Sequence, residues 1–93
     1  MEGLKFDDGK LRWDLLPLDC IEDLVKILTF GASKYGVNNW QKVEEDRYFA
    51  ALMGHLVASR LGELNDNESG LSHLSHAMCN VLFLLWIEKH KEQ

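Results

Sequence analysis

Three polar residues, His73, His76 and Asn80, stand three and four positions apart in the carboxy-terminal part of this 93-residue chain. On a helix that spacing places them on one face. Two imidazoles so placed can ligate a metal softer than magnesium, act as general acid and base, or hydrogen-bond a bound ligand. Around them Leu71, Leu74, Met78, Val81, Leu82, Leu85 and Ile87 recur at helical spacing, which predicts a buried apolar stripe with the polar residues beside it. A helix that only filled a core would carry Leu or Ala at the polar positions, because a buried polar group without a partner costs about 1–3 kcal/mol. The three residues therefore either hold a ligand or bond to loops and neighbouring helices.

A second group of chemical residue types lies in the amino-terminal run from Asp7 to Pro17. Lys10 and Arg12 flank Leu11, so in an extended segment both cations point the same way. Together they can grip a di- or triphosphate, Arg as a planar fork and Lys as a point charge; alternatively they pair with Asp7, Asp8 or Asp14. Asp19 and Glu22 are one helical turn apart and can offer oxygen ligands to a hard cation, or serve a helix dipole. Glu63, Asp66 and Glu68 cluster ahead of the histidines. No Gly-rich phosphate loop and no nucleophile arrangement is present.

The elements that must position these groups are helical. Pro17 fits the first turn of a helix whose stripe is Leu18, Ile21, Leu24, Val25 and Leu28, running to about Phe30 or beyond. Residues 31–45 read as a helix end and a structured loop containing Lys34, Tyr35, Asn39 and Trp40. The two aromatics either stack on a ligand base or plug the open end of the helical core. A second helix is predicted from an Asp46 cap to about Glu63, with His55 inside it and small Gly54 and Ala58 available for close packing. Asn65 to Gly70 forms the turn of an antiparallel hairpin, and a third helix runs from Gly70 to His90. No convincing strand is found. The expectation is an all-α fold: one domain over residues 1–93, a three-helix unit with a structured amino-terminal segment, assembling into an oligomeric helical bundle.

Composition narrows the classes. A net charge of −5 argues against binding the backbone of a nucleic acid polymer, although a nucleotide needs only a local cationic cluster or a metal ion. Hydrophobic content of 46% in so short a chain makes a small core that a homo-oligomer would complete. Cys20 and Cys79 sit in apolar patterns without metal-ligand spacing and read as reduced, buried thiols. The amino terminus is charged, with Glu2 and Lys5, and shows no signal peptide; no apolar run reaches membrane-spanning length, so a cytoplasmic, membrane-free location is expected.

Taken together, three segments resemble one family: Asp7-Asp8-Gly9-Lys10-Leu11-Arg12-Trp13-Asp14-Leu15-Leu16-Pro17; then Leu28 to Gly36 with Asn39-Trp40; then Glu68-Ser69-Gly70-Leu71-Ser72-His73-Leu74-Ser75-His76 through Asn80. They resemble the phage dATP/dGTP diphosphohydrolase amino-terminal family, related in architecture to MazG-type all-alpha nucleotide pyrophosphohydrolases. The resemblance implies a phage protein of the host cytoplasm that handles a purine nucleotide, splitting the triphosphate to monophosphate and pyrophosphate with Mg2+ or Mn2+. It implies Lys10, Arg12 and Lys34 on phosphates, Tyr35, Asn39 and Trp40 around the nucleoside, Asp19 and Glu22 on the metal, and His73, His76 and Asn80 at the floor of the site, the histidines catalytic. The wider superfamily carries an acidic pair on a later helix, where Ala77 and Asn80 stand here. That departure keeps a second expectation open: a metal-free sponge that sequesters a signalling nucleotide of host defence.

Overall fold

Three α-helices and two short 3-10 turns account for the regular structure of the computed structural model, which describes residue Gly3 and residues 8–91. Glu2, Lys5 and Asp7 of the amino-terminal motif lie outside the described residues. Helix α1 spans Leu18–Tyr35, α2 Glu45–Arg60 and α3 His73–His90, with 3-10 turns at Trp13–Leu15 and Asn39–Lys42. Among the described residues the only extended pairing is an isolated antiparallel bridge between Asn65 and Ser72, so the all-α class holds.

Helix α3 ends at His90 as expected and α1 runs beyond Phe30, while the other helix ends are set by local hydrogen bonds. Pro17 is the residue before α1, not inside it, and its carbonyl accepts from the Cys20 and Ile21 N–H groups at 3.1 and 3.2 Å. The helix runs through Gly31 to Tyr35, where Gly36 at φ +99° closes it by donating to the Ala32 carbonyl at 2.8 Å. One internal glycine costs only about 1 kcal/mol, too little to stop a helix held by packing. Helix α2 starts at Glu45, putting Glu45 and Asp46 in the first turn where the dipole favours carboxylates. It stops at Arg60 instead of Glu63. There Glu63 N–H donates to Ala58 at 3.0 Å, Gly62 N–H donates to Ser59 at 3.1 Å, and Gly62 takes φ +98°, the paired closure that glycine permits. Helix α3 begins at His73, because the Ser72 hydroxyl caps it by accepting from Leu74 N–H at 3.1 Å.

Helix α3 is the hub, lying mainly against α2 and also against α1. Ile27 of α1, Tyr48 of α2 and Ala77 and Cys79 of α3 are the buried apolar residues. At one end an aromatic group closes the core: Trp40 stacks on Phe83 at 4.6 Å and meets Trp86 edge-on at 5.1 Å. Tyr48 lies 4.8 Å from Phe83 and its hydroxyl donates to the Trp40 carbonyl.

Three expectations about packing are corrected. The buried face of α3 is small and polar, with His73, Ser75 and Asn80 beside Ala77 and Cys79, whereas Leu74, Val81 and Leu85 remain exposed. The reason is geometric: α1 and α2 pack on one side of α3, and among the described residues no other α-helix packs on it. Cys20 is exposed and only Cys79 is buried. Gly54 makes no close helix contact, since a Cβ built on it meets no atom within 4 Å. The subunit as a whole is open. Its radius of gyration is 16.8 Å, where a compact chain of this length has about 12 Å.

Candidate functional site

The hairpin between α2 and α3 builds the densest group of chemical side chains. Asp66 organises the connecting loop. Its carboxylate accepts from the N–H groups of Glu68 and Ser69 at 3.1 and 3.0 Å, its own N–H donates to Leu71 at 2.8 Å, and its carbonyl accepts from Gly70 N–H at 2.8 Å. Gly70 at φ +74° makes that return possible. His73 N–H donates to the Leu64 carbonyl at 2.9 Å, which fixes the start of α3 against the loop.

Three imidazoles converge on this hairpin. His55 of α2 and His73 of α3 face each other through their Nδ1 atoms at 2.8 Å. His55 also stacks on His76, with ring centres 4.7 Å apart and planes 12° from parallel. His76 Nε2 shares a 2.6 Å hydrogen bond with Ser69 Oγ and lies 4.0 Å from Asp66 Oδ2. His73, only 6% exposed, has its Nε2 3.4 Å from Glu63 Oε1. That separation is within ion-pair reach, yet the atoms are not aligned for a hydrogen bond, so the buried Nε2 has no hydrogen-bond partner. His55, Asp66 and His73 present ligand atoms that all lie within 4.8 Å of one another.

The surroundings disfavour the charged form of two of the imidazoles, His55 and His76. Burial pushes the His55 pKa below its ordinary value, and the neighbouring His76 and His73 push the same way. Burial also lowers His76, with Asp66 partly opposing it. Asp66 stays in the carboxylate form: burial alone would raise its pKa, but the Ser69 N–H and the charge of His76 outweigh it. A neutral imidazole can accept a proton or ligate a metal, and both capacities are present here.

The other predicted site residues are dispersed. Asn80 is buried and donates to the His76 carbonyl one turn back at 2.9 Å, so it supports the backbone beneath that histidine. Lys34 of α1 reaches the hairpin loop through an ion pair with Glu68, and its Nζ lies 5.1 Å from the Tyr35 ring centre. Tyr35 is 62% exposed; Asn39 is half-buried, and Trp40 uses its ring faces inside the aromatic group. Arg12 is held by Asp14 through two hydrogen bonds of 2.8 and 2.7 Å, one of the pairings open from sequence. Lys10 is exposed. Asp19 and Glu22 are exposed on α1, with Glu22 3.4 Å from Lys26 Nζ, and neither belongs to the His55, Asp66 and His73 group.

Sequence reasoning passed over His55 as a site residue, and Asp66 and Glu63 were visible only as part of an acidic cluster. The available signal was the hairpin itself. The hairpin's connecting segment, residues 61–72, folds back so that the first residue of α3, His73, meets His55 inside α2, a pairing that spacing along one helix does not show.

Comparison with known proteins gives a consistent result. The family profile described as dATP/dGTP diphosphohydrolase, N-terminal, matches residues 1–93. A Salmonella phage PMBT28 protein named dATP/dGTP diphosphohydrolase is 33% identical over 87 residues. That alignment covers 94% of this chain and 30% of the relative, so the chain spans under a third of the relative's length. No solved structure matches.

Proposed function

This chain belongs to the dATP/dGTP diphosphohydrolase amino-terminal family, and from that premise we propose that it handles a purine deoxynucleoside triphosphate, taking part in metal-dependent hydrolysis to the monophosphate and pyrophosphate. The observation that carries the reading is the group of three imidazoles and two carboxylates at the α2–α3 hairpin.

The chain's own residues have separable roles in this reading. His76, hydrogen-bonded to Ser69, accepts a proton from the attacking water; His73 stands one turn away on the same helix. Lys34 reaches the loop from α1 and supplies positive charge for phosphate when it leaves Glu68. Lys10 and Arg12, on the exposed amino-terminal segment, add to it, Arg12 exchanging Asp14 for phosphate oxygens. In this reading the exposed Tyr35 ring and the half-buried Asn39 meet the nucleoside near the end of α1, while the Trp40 ring stays in the aromatic group. Asn80 keeps the His76 backbone in place.

The metal expected from the family does not fit the carboxylates first assigned to it. Magnesium and manganese prefer near-octahedral oxygen coordination, while Asp19 and Glu22 offer two exposed oxygens sources, one beside Lys26, apart from the histidines. No step is therefore routed through that pair.

A second reading is favoured by the buried face of α3. Ala77 and Asn80 stand there without a carboxylate, so the chain can hold a nucleotide without cleaving it, as a sponge. Incubation of purified protein with dATP or dGTP, with magnesium or manganese or with a chelator, separates the two. Monophosphate and pyrophosphate that require the metal support hydrolysis. Intact nucleotide that co-elutes with the protein in chelator, with no product after prolonged incubation, supports the sponge and overturns hydrolysis.

A further inference from the structure

Two ring nitrogens facing each other at 2.8 Å cannot both be bare, because their lone pairs would repel. Either one ring carries the hydrogen and donates to the other, or a metal ion holds both nitrogens. We propose that His55 Nδ1, His73 Nδ1 and an Asp66 carboxylate oxygen form a binding site for a borderline divalent transition metal of the zinc class.

The donor set selects that class. Two imidazoles and one carboxylate suit zinc and its neighbours, whereas magnesium takes oxygen ligands. Zinc–nitrogen bonds of ~2.0–2.1 Å at a tetrahedral angle separate two nitrogens by about 3.3 Å. The observed 2.8 Å therefore has to widen by about half an ångström, and the longer separations in the group, up to 4.8 Å, have to close by side-chain rotation. His55 lies mid-helix on α2 and His73 on the first turn of α3, so each can turn about its side-chain bonds without moving the loop.

The surroundings supply what such a site needs. His73 is 6% exposed and its Nε2 lacks a hydrogen-bond partner. Glu63 Oε1 lies 3.4 Å behind that atom. With Nδ1 on a metal, Nε2 carries the proton and the Glu63 carboxylate becomes its acceptor, the carboxylate–histidine–metal relation that fixes tautomer and ring orientation. The Asp66 carboxylate is already held by two backbone N–H groups, which preorganises it as a ligand. His76 stacks on His55 and backs one face of its ring. Three protein ligands leave a coordination position for water or for a phosphate oxygen.

The inference stands apart from hydrolysis, because metal uptake is measured without nucleotide. The full chain, stripped with chelator and dialysed, is titrated with zinc chloride and with cobalt chloride. The expected result is one ion per chain, visible cobalt absorption of four- or five-coordinate intensity, and no displacement by millimolar magnesium. His55→Gln abolishes the cobalt bands. Glu63→Gln weakens zinc uptake by about 10–100-fold while circular dichroism stays helical. His90→Gln, on the exposed last turn of α3, leaves uptake unchanged. A wild-type cobalt spectrum of octahedral intensity, or zinc uptake equal in wild type and folded His55→Gln, overturns the site. If His55→Gln does not fold, the wild-type cobalt spectrum decides alone. Nucleotide binding that survives with no zinc uptake overturns this inference and leaves the nucleotide reading intact.

Discussion

At the scale of single residues, burial decides which groups are reactive. Cys79 is 2% exposed and burial pushes its thiol up to about 12, while Cys20 stands on the open side of α1. A thiol reagent at pH 8 should therefore modify Cys20 quickly and Cys79 only on unfolding; rapid reaction of both would place Cys79 outside the core. The same shift sets an alkaline limit. The folded Cys79 pKa lies above its ordinary value of 9.0, so the native state keeps a proton that the unfolded chain releases. Its contribution is complete below about pH 9 and is lost as pH rises through about 12. Tyr48, pushed from 10.0 to about 12 mainly by burial, acts in the same direction. The denaturation midpoint should fall with rising pH across that window, less steeply in Cys79→Ala; equal slopes would contradict the assignment. His73 and His76 were legible from sequence because polar residues interrupt an apolar helix. His55 was not, because its meaning depends on a partner across the hairpin. Trp40 was ambiguous for a similar reason: only the positions of Phe83 and Trp86 show that its ring faces are used internally.

At the scale of elements, periodicity identified all three helices, but caps placed their ends. The Gly62 closure, the Ser72 hydroxyl cap and the Gly36 closure each depend on a few local hydrogen bonds, which moved boundaries by one to several residues from the periodic pattern. Gly31 shows the limit of reading glycine as punctuation. It lies inside α1, and a Cβ built there meets no atom within 4 Å. Gly31→Ala should raise stability by about 0.5–1 kcal/mol in urea denaturation, because alanine loses less backbone freedom on folding. A destabilised variant would mean that another surface packs closely on this position. The orientation of α3 was the least legible element. Its apolar residues run around several sides, so the pattern could not say that small and polar side chains face α1 and α2 while Leu74, Val81 and Leu85 face outward.

At the scale of the molecule, the open shape and those outward aliphatic side chains belong together. The subunit exposes 7707 Å², where a compact monomer of its 10.7 kDa mass exposes about 5,500 Å². Positions 74, 78, 81 and 85 repeat as a coiled-coil seam does, which fits a helix from a second copy of this chain. Light scattering should report a dimer or larger at micromolar concentration, and Val81→Glu with Leu85→Glu should lower the mass while helicity remains. A folded wild-type monomer would contradict that assembly. The nucleotide reading itself is tested most directly at its proposed seat, the histidine cluster of the α2–α3 hairpin. The measurement is titration of dATP into protein labelled with 15N at the histidine rings, followed by the imidazole resonances. Saturable shifts of His55, His73 and His76, with His90 unmoved, are the predicted result. Saturable dATP binding that leaves those three resonances unchanged, or no binding at all, would contradict it.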